Sequence, residues 1–237
     1  ACLVGSEMCI RDRPHTYEYL EIMERWLLEH GMPPITRVWY TTKDGERLTL
    51  EQECLRSGSL PSIAYGHKKC SLKHKVTPQE KFCNHHPGCR DAWAKGEKVV
   101  KLIGYDAGEE RRRVKALPHD LQDLKYRKEY PLMDWGWDRG DCVRAIQSAG
   151  LPLPGKSSCF FCPSMKPREI RTLYHQYPEL LERALAIEDN ARPNLRTVRG
   201  LGRDFAWRDF ILADEAQLTL PEIFSTEDLP CSCFMSS

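Results

Sequence analysis

From residue 16 the chain repeats apolar residues at helical spacing, with Tyr19, Leu20, Met23, Trp26 and Leu27 on one face. Thr16 stands where a cap belongs, and Gly31 followed by Pro33 and Pro34 marks the end, so a helix is predicted between them. The pattern then changes to short apolar, β-branched runs. ITRVWY at Ile35 to Tyr40 and VVKLIGY at Val99 to Tyr105 each predict a strand. Between them, Thr77-Pro78-Gln79-Glu80 has the form of a capping box with proline at the first helical position, which predicts a helix start behind Cys70.

Asp138 is placed to cap a helix that carries Cys142 and closes at Gly150. LPLPGKSS, with two prolines, a glycine and two serines, then reads as loop. From Lys166 onward the periodicity is helical again, through REIRTLYHQY, then PELLERALAIEDNA opened by Pro178, then a short segment around FAWRDFILAD. Residues 14 to about 130 therefore read as α/β, and the remainder as a mostly helical cap.

Composition narrows the function classes. With 41% hydrophobic and 29% charged residues over 237 positions, there is material for one ordinary domain or two small ones. Thirty-five basic against 34 acidic residues leave a net charge of +1, so no global field favours nucleic acid or an acidic membrane. The run Arg111, Arg112, Arg113, Lys115 reads as a solvated basic face. No apolar run reaches the roughly 18 residues of a membrane span, and the chain reads as cytoplasmic.

Eleven cysteines in a chain of this length point to metal binding or thiol chemistry in a reducing compartment rather than to disulfide staples. Residues 1–13, ACLVGSEMCIRDR, resemble a translated sequencing-adapter read-through and are set aside from the fold, with the natural chain expected to begin upstream of Pro14. Without Cys2 and Cys9, nine cysteines remain. Cys159 and Cys162 sit in the turn GKSSCFFCP, Cys142 lies one helix upstream, and Cys70 stands ahead of the Thr77 helix. Four thiolates suit one tetrahedral zinc or one iron–sulfur cluster. For Cys142 the competing reading is a buried small hydrophobe beside Val143 and Ile146. A second set, Cys83, His85, His86 and Cys89 in FCNHHPGC, has zinc-ligand chemistry, but four ligands inside seven residues strain a single shell, and a polar surface insertion is preferred. Cys231 and Cys233 receive no role.

Four ordered segments resemble the phosphoadenosine phosphosulfate (PAPS) reductase family. CSLKHKVTP at Cys70 to Pro78 is similar to its C-T-x-x-x-K-x-x-P segment, with serine for threonine. IGYDAGEERR resembles its G-x-x-x-x-E followed by arginine, PLMDW its P-L-x-D-W, and GKSSCFFCP its closing turn into C-x-x-C. The resemblance implies an adenine nucleotide α-hydrolase-like fold: α/β, a partial doubly wound, mostly parallel sheet over residues 14–163, with residues 164–237 as a helical C-terminal extension. It further implies ATP or PAPS as nucleotide, contacted by Lys75, Gly104, Glu109 and Arg112. Cys70, Cys142, Cys159 and Cys162 would hold a [4Fe-4S] cluster or zinc. The implied activity is reductive release of sulfite or ATP-dependent sulfur transfer to a nucleic acid or small acceptor. Two departures stand out. The family's S-G-G-x-D-S phosphate loop occurs nowhere in the sequence, as expected of an N-terminal truncation that would leave this fragment inactive, and no recognisable catalytic C-terminal cysteine tail is present. The alternative class is a non-catalytic, metal-stabilised nucleic-acid-binding module in which Trp135, Trp137 and Arg139 stack on bases.

Overall fold

Two βαβ units and a helical body share one long helix. The computed structural model describes the backbone of residues 3–6, residues 14–155 and residues 157–216. In chain order the elements are β1 (Leu3–Ser6), α1 (Pro14–Glu29), β2 (Ile35–Val38), α2 (Leu50–Ser57), α3 (Lys69–Ser71), α4 (Thr77–His85), α5 (Pro87–Ala94) and β3 (Val99–Leu102). These are followed by α6 (Glu110–Gln122), β4 (Tyr126–Glu129), α7 (Pro131–Asp134), α8 (Arg139–Ser148), α9 (Pro167–Gln176), α10 (Pro178–Ala191) and α11 (Trp207–Ala216). The protein is α/β and mostly helical.

β1 pairs in parallel with β2, from Leu3 opposite Ile35 to Ser6 opposite Val38. β3 pairs in parallel with β4, from Val99 opposite Tyr126 to Leu102 opposite Glu129. Parallel neighbours require a crossover, and α1 and α6 lie within the two crossovers. Among the described residues the two pairs are separate two-stranded sheets. β1 falls inside the segment that the sequence set aside, and its backbone supplies the partner of β2.

Several local expectations hold. Asp138 caps α8 through a reciprocal capping box with Asp141, and Gly150 behind the helix takes φ +70°, the left-handed conformation suited to a helix stop. Others change. Helix α1 already starts at Pro14, so Thr16 lies inside its first turn. Thr77 is no cap either: it is helical (φ −57°, ψ −45°), and its hydroxyl donates to the Leu72 carbonyl at 3.0 Å. The reason is a π-helical turn, Leu72–Val76, that joins α3 to α4. Pro78 brings no N–H and its ring crowds the carbonyl four residues back, so a wider turn just ahead lets the helix run on.

Helix α4 joins the two βαβ units. The Glu80 carboxylate accepts from Lys101 Nζ on β3 at 2.6 Å and from the Tyr126 hydroxyl on β4 at 3.0 Å. One residue on, Lys81 Nζ donates to Thr41 Oγ1 behind β2 at 2.7 Å.

The hydrophobic core lies in the helical body and crosses the residue 163/164 division drawn from the sequence. Leu50 and Cys54 of α2 pack with Cys159, Phe160, Phe161, Ile170 and Leu173, together with α10 and Trp207 of α11. Within it Glu188 is fully buried and accepts backbone N–H groups from Leu201 (2.7 Å), Trp207 (2.9 Å) and Arg208 (3.1 Å). Its carboxylate thus satisfies orphan donors at the start of α11. A Cβ at Gly200 would collide with that carboxylate and come within 2.7 Å of Ala206 Cα. Gly200→Ala is therefore expected to destabilise the protein by about 1–3 kcal/mol, the usual range for overpacking, seen as a lower urea midpoint at unchanged slope.

Candidate metal centre

Three of the four expected thiol ligands meet in one small pocket. Cys70, Cys159 and Cys162 line a space of about 60 Å³ together with Lys68, Lys75 and Phe161. Cys70 opens the long helix, and its N–H is fixed by Ser62 Oγ at 2.8 Å. Cys159 and Cys162 bracket Phe160 and Phe161, both wholly buried, and the Cys162 N–H returns to the Cys159 carbonyl at 3.1 Å. Behind this turn, Met165 N–H bonds the Cys162 carbonyl at 2.9 Å. Upstream, Gly155 runs so close to the His15 imidazole that a Cβ would collide with the ring.

The fourth thiol in this neighbourhood is Cys54, which the sequence reading passed over. Its sulfur lies within electrostatic range of both Cys70 and Cys159, and it is buried in the same core cluster. A signal for it existed: Thr49 and Gln52 have the spacing of a capping box, which the structure forms, and that box starts α2 with Leu50 and Cys54 on its inner face. Cys142 goes elsewhere. The charged groups acting on it are Asp106, Arg139, Asp141 and Asp138, none of which belongs to the pocket.

Burial raises the pKa of two of these thiols, Cys54 and Cys162. It pushes the Cys54 thiol up to about 12, with Glu53 and the neighbouring thiols adding to the shift. Burial likewise raises Cys162 to about 12, with Cys159 adding and the amide and hydroxyl of Ser164 pulling back. Among the described residues, no three Cys, His, Asp or Glu side chains form a ready-made coordination shell. The four cysteines are free of disulfide bonds, with Cys70, Cys159 and Cys162 lining the pocket and Cys54 beside it. Their donor chemistry fits a soft metal or an iron–sulfur cluster, and Lys68 and Lys75 supply positive charge to offset thiolates once the protons leave.

The residues expected around a nucleotide are divided. Lys75 lines the thiol pocket. Gly104 is exposed just behind β3. Glu109 and Arg112 form an ion pair with each other, and the guanidinium lies 4.0 Å from the centre of the Tyr105 ring. Lys68 links the two groups, because burial and the nearby Lys115 and Arg112 lower its pKa. A larger cleft of about 430 Å³ opens at the carboxyl end of β2, where Arg37, Trp39, Lys81, Phe82, His85 and His86 stand on its walls.

The other candidates do not converge. Cys83 is buried and acts on the Tyr126 hydroxyl, His85 Nδ1–H donates to the Lys81 carbonyl at 2.7 Å, and the His86 ring leans on Phe82. Trp135 is exposed and meets Trp137 edge-on at 5.3 Å. Within the basic run, Arg113 reaches Asp134 at 3.6 Å. Cys231 and Cys233 lie outside the described residues.

Beside the pocket, His74 is 1% exposed and its Nε2 lies 2.7 Å from Glu53 Oε2. Lys73 Nζ holds the other carboxylate oxygen at 2.8 Å. Burial would raise the Glu53 pKa, but the hydrogen bonds from Lys73 and His74 outweigh it and keep the group below the usual carboxylate range. Burial lowers the His74 pKa against the opposing pull of Glu53, so the ring is neutral. A carboxylate only accepts, which places the imidazole proton on Nε2.

No family model, curated protein or solved structure matches the chain.

Two measurements follow from these protonation states. Thiolate is the species that reacts, and a rise from 9.0 to about 12 cuts its fraction about a thousandfold, so native alkylation at neutral pH should leave Cys54 and Cys162 as slow sites, read by mass spectrometry. The depressed His74 pKa contributes stability that is complete above the unfolded value of 6.5 and is lost as pH falls below it. Urea midpoints at about pH 7.5 and about pH 5.5 should therefore differ less in His74→Gln than in the wild type.

Proposed function

We propose that this chain carries the metal-bearing part of a PAPS reductase-like enzyme, in which an adenylyl nucleotide and a thiolate-held centre cooperate in sulfur chemistry. The observation that carries the reading is the meeting of Cys70, Cys159 and Cys162, which are separated by up to ninety-two residues in sequence, in one pocket with two lysines and with Cys54 adjoining. In this reading Cys54, Cys70, Cys159 and Cys162 hold an iron–sulfur cluster or zinc, and Cys142 is a helix-packing residue. A bound cluster would supply electrons or sulfur, whereas zinc would brace the fold. The chain's own residues do the rest: Lys68 and Lys75 offset negative charge, and Phe160 and Phe161 keep water from the buried side.

In this reading the two parallel pairs are parts of one doubly wound sheet of the adenine nucleotide α-hydrolase type. Both pairs have the parallel βαβ form that such sheets repeat. Nucleotides in these sheets bind at the carboxyl ends of strands, and the cleft behind β2 has the size and the aromatic and basic lining for one. Lys75 and Phe82 are seven residues apart on one helix, so a base beside Trp39 and Phe82 would lie about 10 Å along the axis from the lysine of the thiol pocket. That is about the length of a nucleotide, which would put its anionic end near the thiols. Reductive release of sulfite and sulfur transfer to a nucleic acid or small acceptor both fit this arrangement.

Anaerobically purified protein tests the reading by metal analysis, visible spectrum and ATP titration. The expected result is bound iron or zinc in the wild type and in Cys142→Ser, and its loss in Cys54→Ser. Trp39→Ala should weaken ATP binding by the equivalent of about 1–3 kcal/mol, the worth of one stacked base. Wild-type protein with neither metal nor nucleotide affinity overturns the proposal.

A further inference from the structure

Glu53 and His74 occupy an unusual position relative to the thiols. Glu53 immediately precedes Cys54 on α2, and His74 stands four residues beyond Cys70, inside the π-helical turn. Their hydrogen bond therefore spans from the helix of one thiol to the helix of another. Each helix has its own anchor elsewhere. The Glu51 carboxylate of α2 holds Arg183 of α10, accepting from Arg183 Nη2 at 3.0 Å, and the Leu55 carbonyl accepts from Asn190 Nδ2 at 2.8 Å. The long helix is tied at its start by Cys70 N–H to Ser62 and at its far end by Glu80 to β3 and β4. Between these anchors, beside the core packing that Cys54 and Cys70 share, Glu53 bridges the two helices directly through His74 and Lys73.

The chemistry at that point suits a spacer. Lys73 balances the Glu53 charge, and its ammonium also lies 4.7 Å from the centre of the Tyr40 ring. Tyr40 in turn packs on the His74 imidazole, with ring centres 5.3 Å apart. The imidazole is thus held on its ring side by Tyr40 and at its Nε2 edge by a carboxylate that is itself locked. The π-helical turn presents His74 to α2, and a regular helix there would rotate the ring away.

We infer that the Glu53–His74 hydrogen bond is a positioning device that sets the separation of Cys54 and Cys70 for the bound metal, an outer-shell role resting on the four-thiolate reading above. Outer-shell partners of metal ligands act by orienting the ligand, and their loss typically costs 10–100-fold in metal affinity.

Cobalt(II) added to metal-free full-length protein tests this, with affinity and the thiolate-to-cobalt absorption bands as readouts and the urea midpoint as the folding control. His74→Gln and His74→Asn are the informative pair: a glutamine amide reaches the position of Nε2, and an asparagine amide reaches only that of Nδ1. The expected result is wild-type affinity and spectrum for His74→Gln, and a loss of about 10–100-fold with altered bands for His74→Asn. If His74→Asn does not fold, Glu53→Ala, at a position one-third exposed, should show the same loss with a folded chain. Folded His74→Asn or Glu53→Ala with wild-type affinity and spectrum overturns the positioning role alone. Wild-type protein that binds no cobalt overturns the four-thiolate reading, and this inference with it.

Discussion

The burial of Phe160 and Phe161 is the constraint on which the rest of the site depends. Both rings are inaccessible to solvent and pack edge-to-face at 4.9 Å. Burying each contributes about 1.5–3 kcal/mol, so the turn between Cys159 and Cys162 is not free to move. Arg183 lies 4.6 Å from the centre of the Phe160 ring while its guanidinium grips Glu51, and the turn is thereby locked to α2 and α10 together. The sulfurs of the Cys-x2-Cys pair are thus positioned by the aromatic residues between them. The same packing brings Cys54 of α2 against the turn.

The long helix from Lys69 to His85 transmits that constraint to the α/β half. Its first turn supplies Cys70, its π-helical turn sends His74 to Glu53, and its last turns bind β3 and β4 through Glu80. A regular helix interrupted by Pro78 would not serve all three contacts. The widened turn relieves the proline and sets the facing of His74 in one step. The same helix thereby lines both the thiol pocket, through Cys70 and Lys75, and the cleft behind β2, through Lys81 and Phe82.

Much of the local structure was legible in the sequence. The strands at Ile35 and Val99, the Asp138 cap, the glycine stop at Gly150 and the helices after Lys166 follow from patterns spanning a few residues, and such patterns act through the backbone nearby. The Thr77 capping box had the right letters and failed, because a helix already in progress leaves no orphan N–H groups to cap. Helix α2 was readable from Thr49 and Gln52 but was hidden by the absence of a long apolar stripe: it is eight residues long.

For the candidate site, the sequence by itself determined which residues have metal-ligand chemistry and that Cys159 and Cys162 stand together in one turn, since a three-residue step keeps two side chains close in any tight turn. Which other thiols join them was decided by tertiary structure alone. Cys142 and Cys54 look alike in the sequence, each a cysteine on a short capped helix. They differ in what their helices pack against: α2 lies in the core with the Cys-x2-Cys turn, whereas Cys142 on α8 lies among Asp106, Asp138, Arg139 and Asp141. Long-range packing of apolar faces places one thiol beside the pocket and the other away from it, and no local pattern encodes that choice.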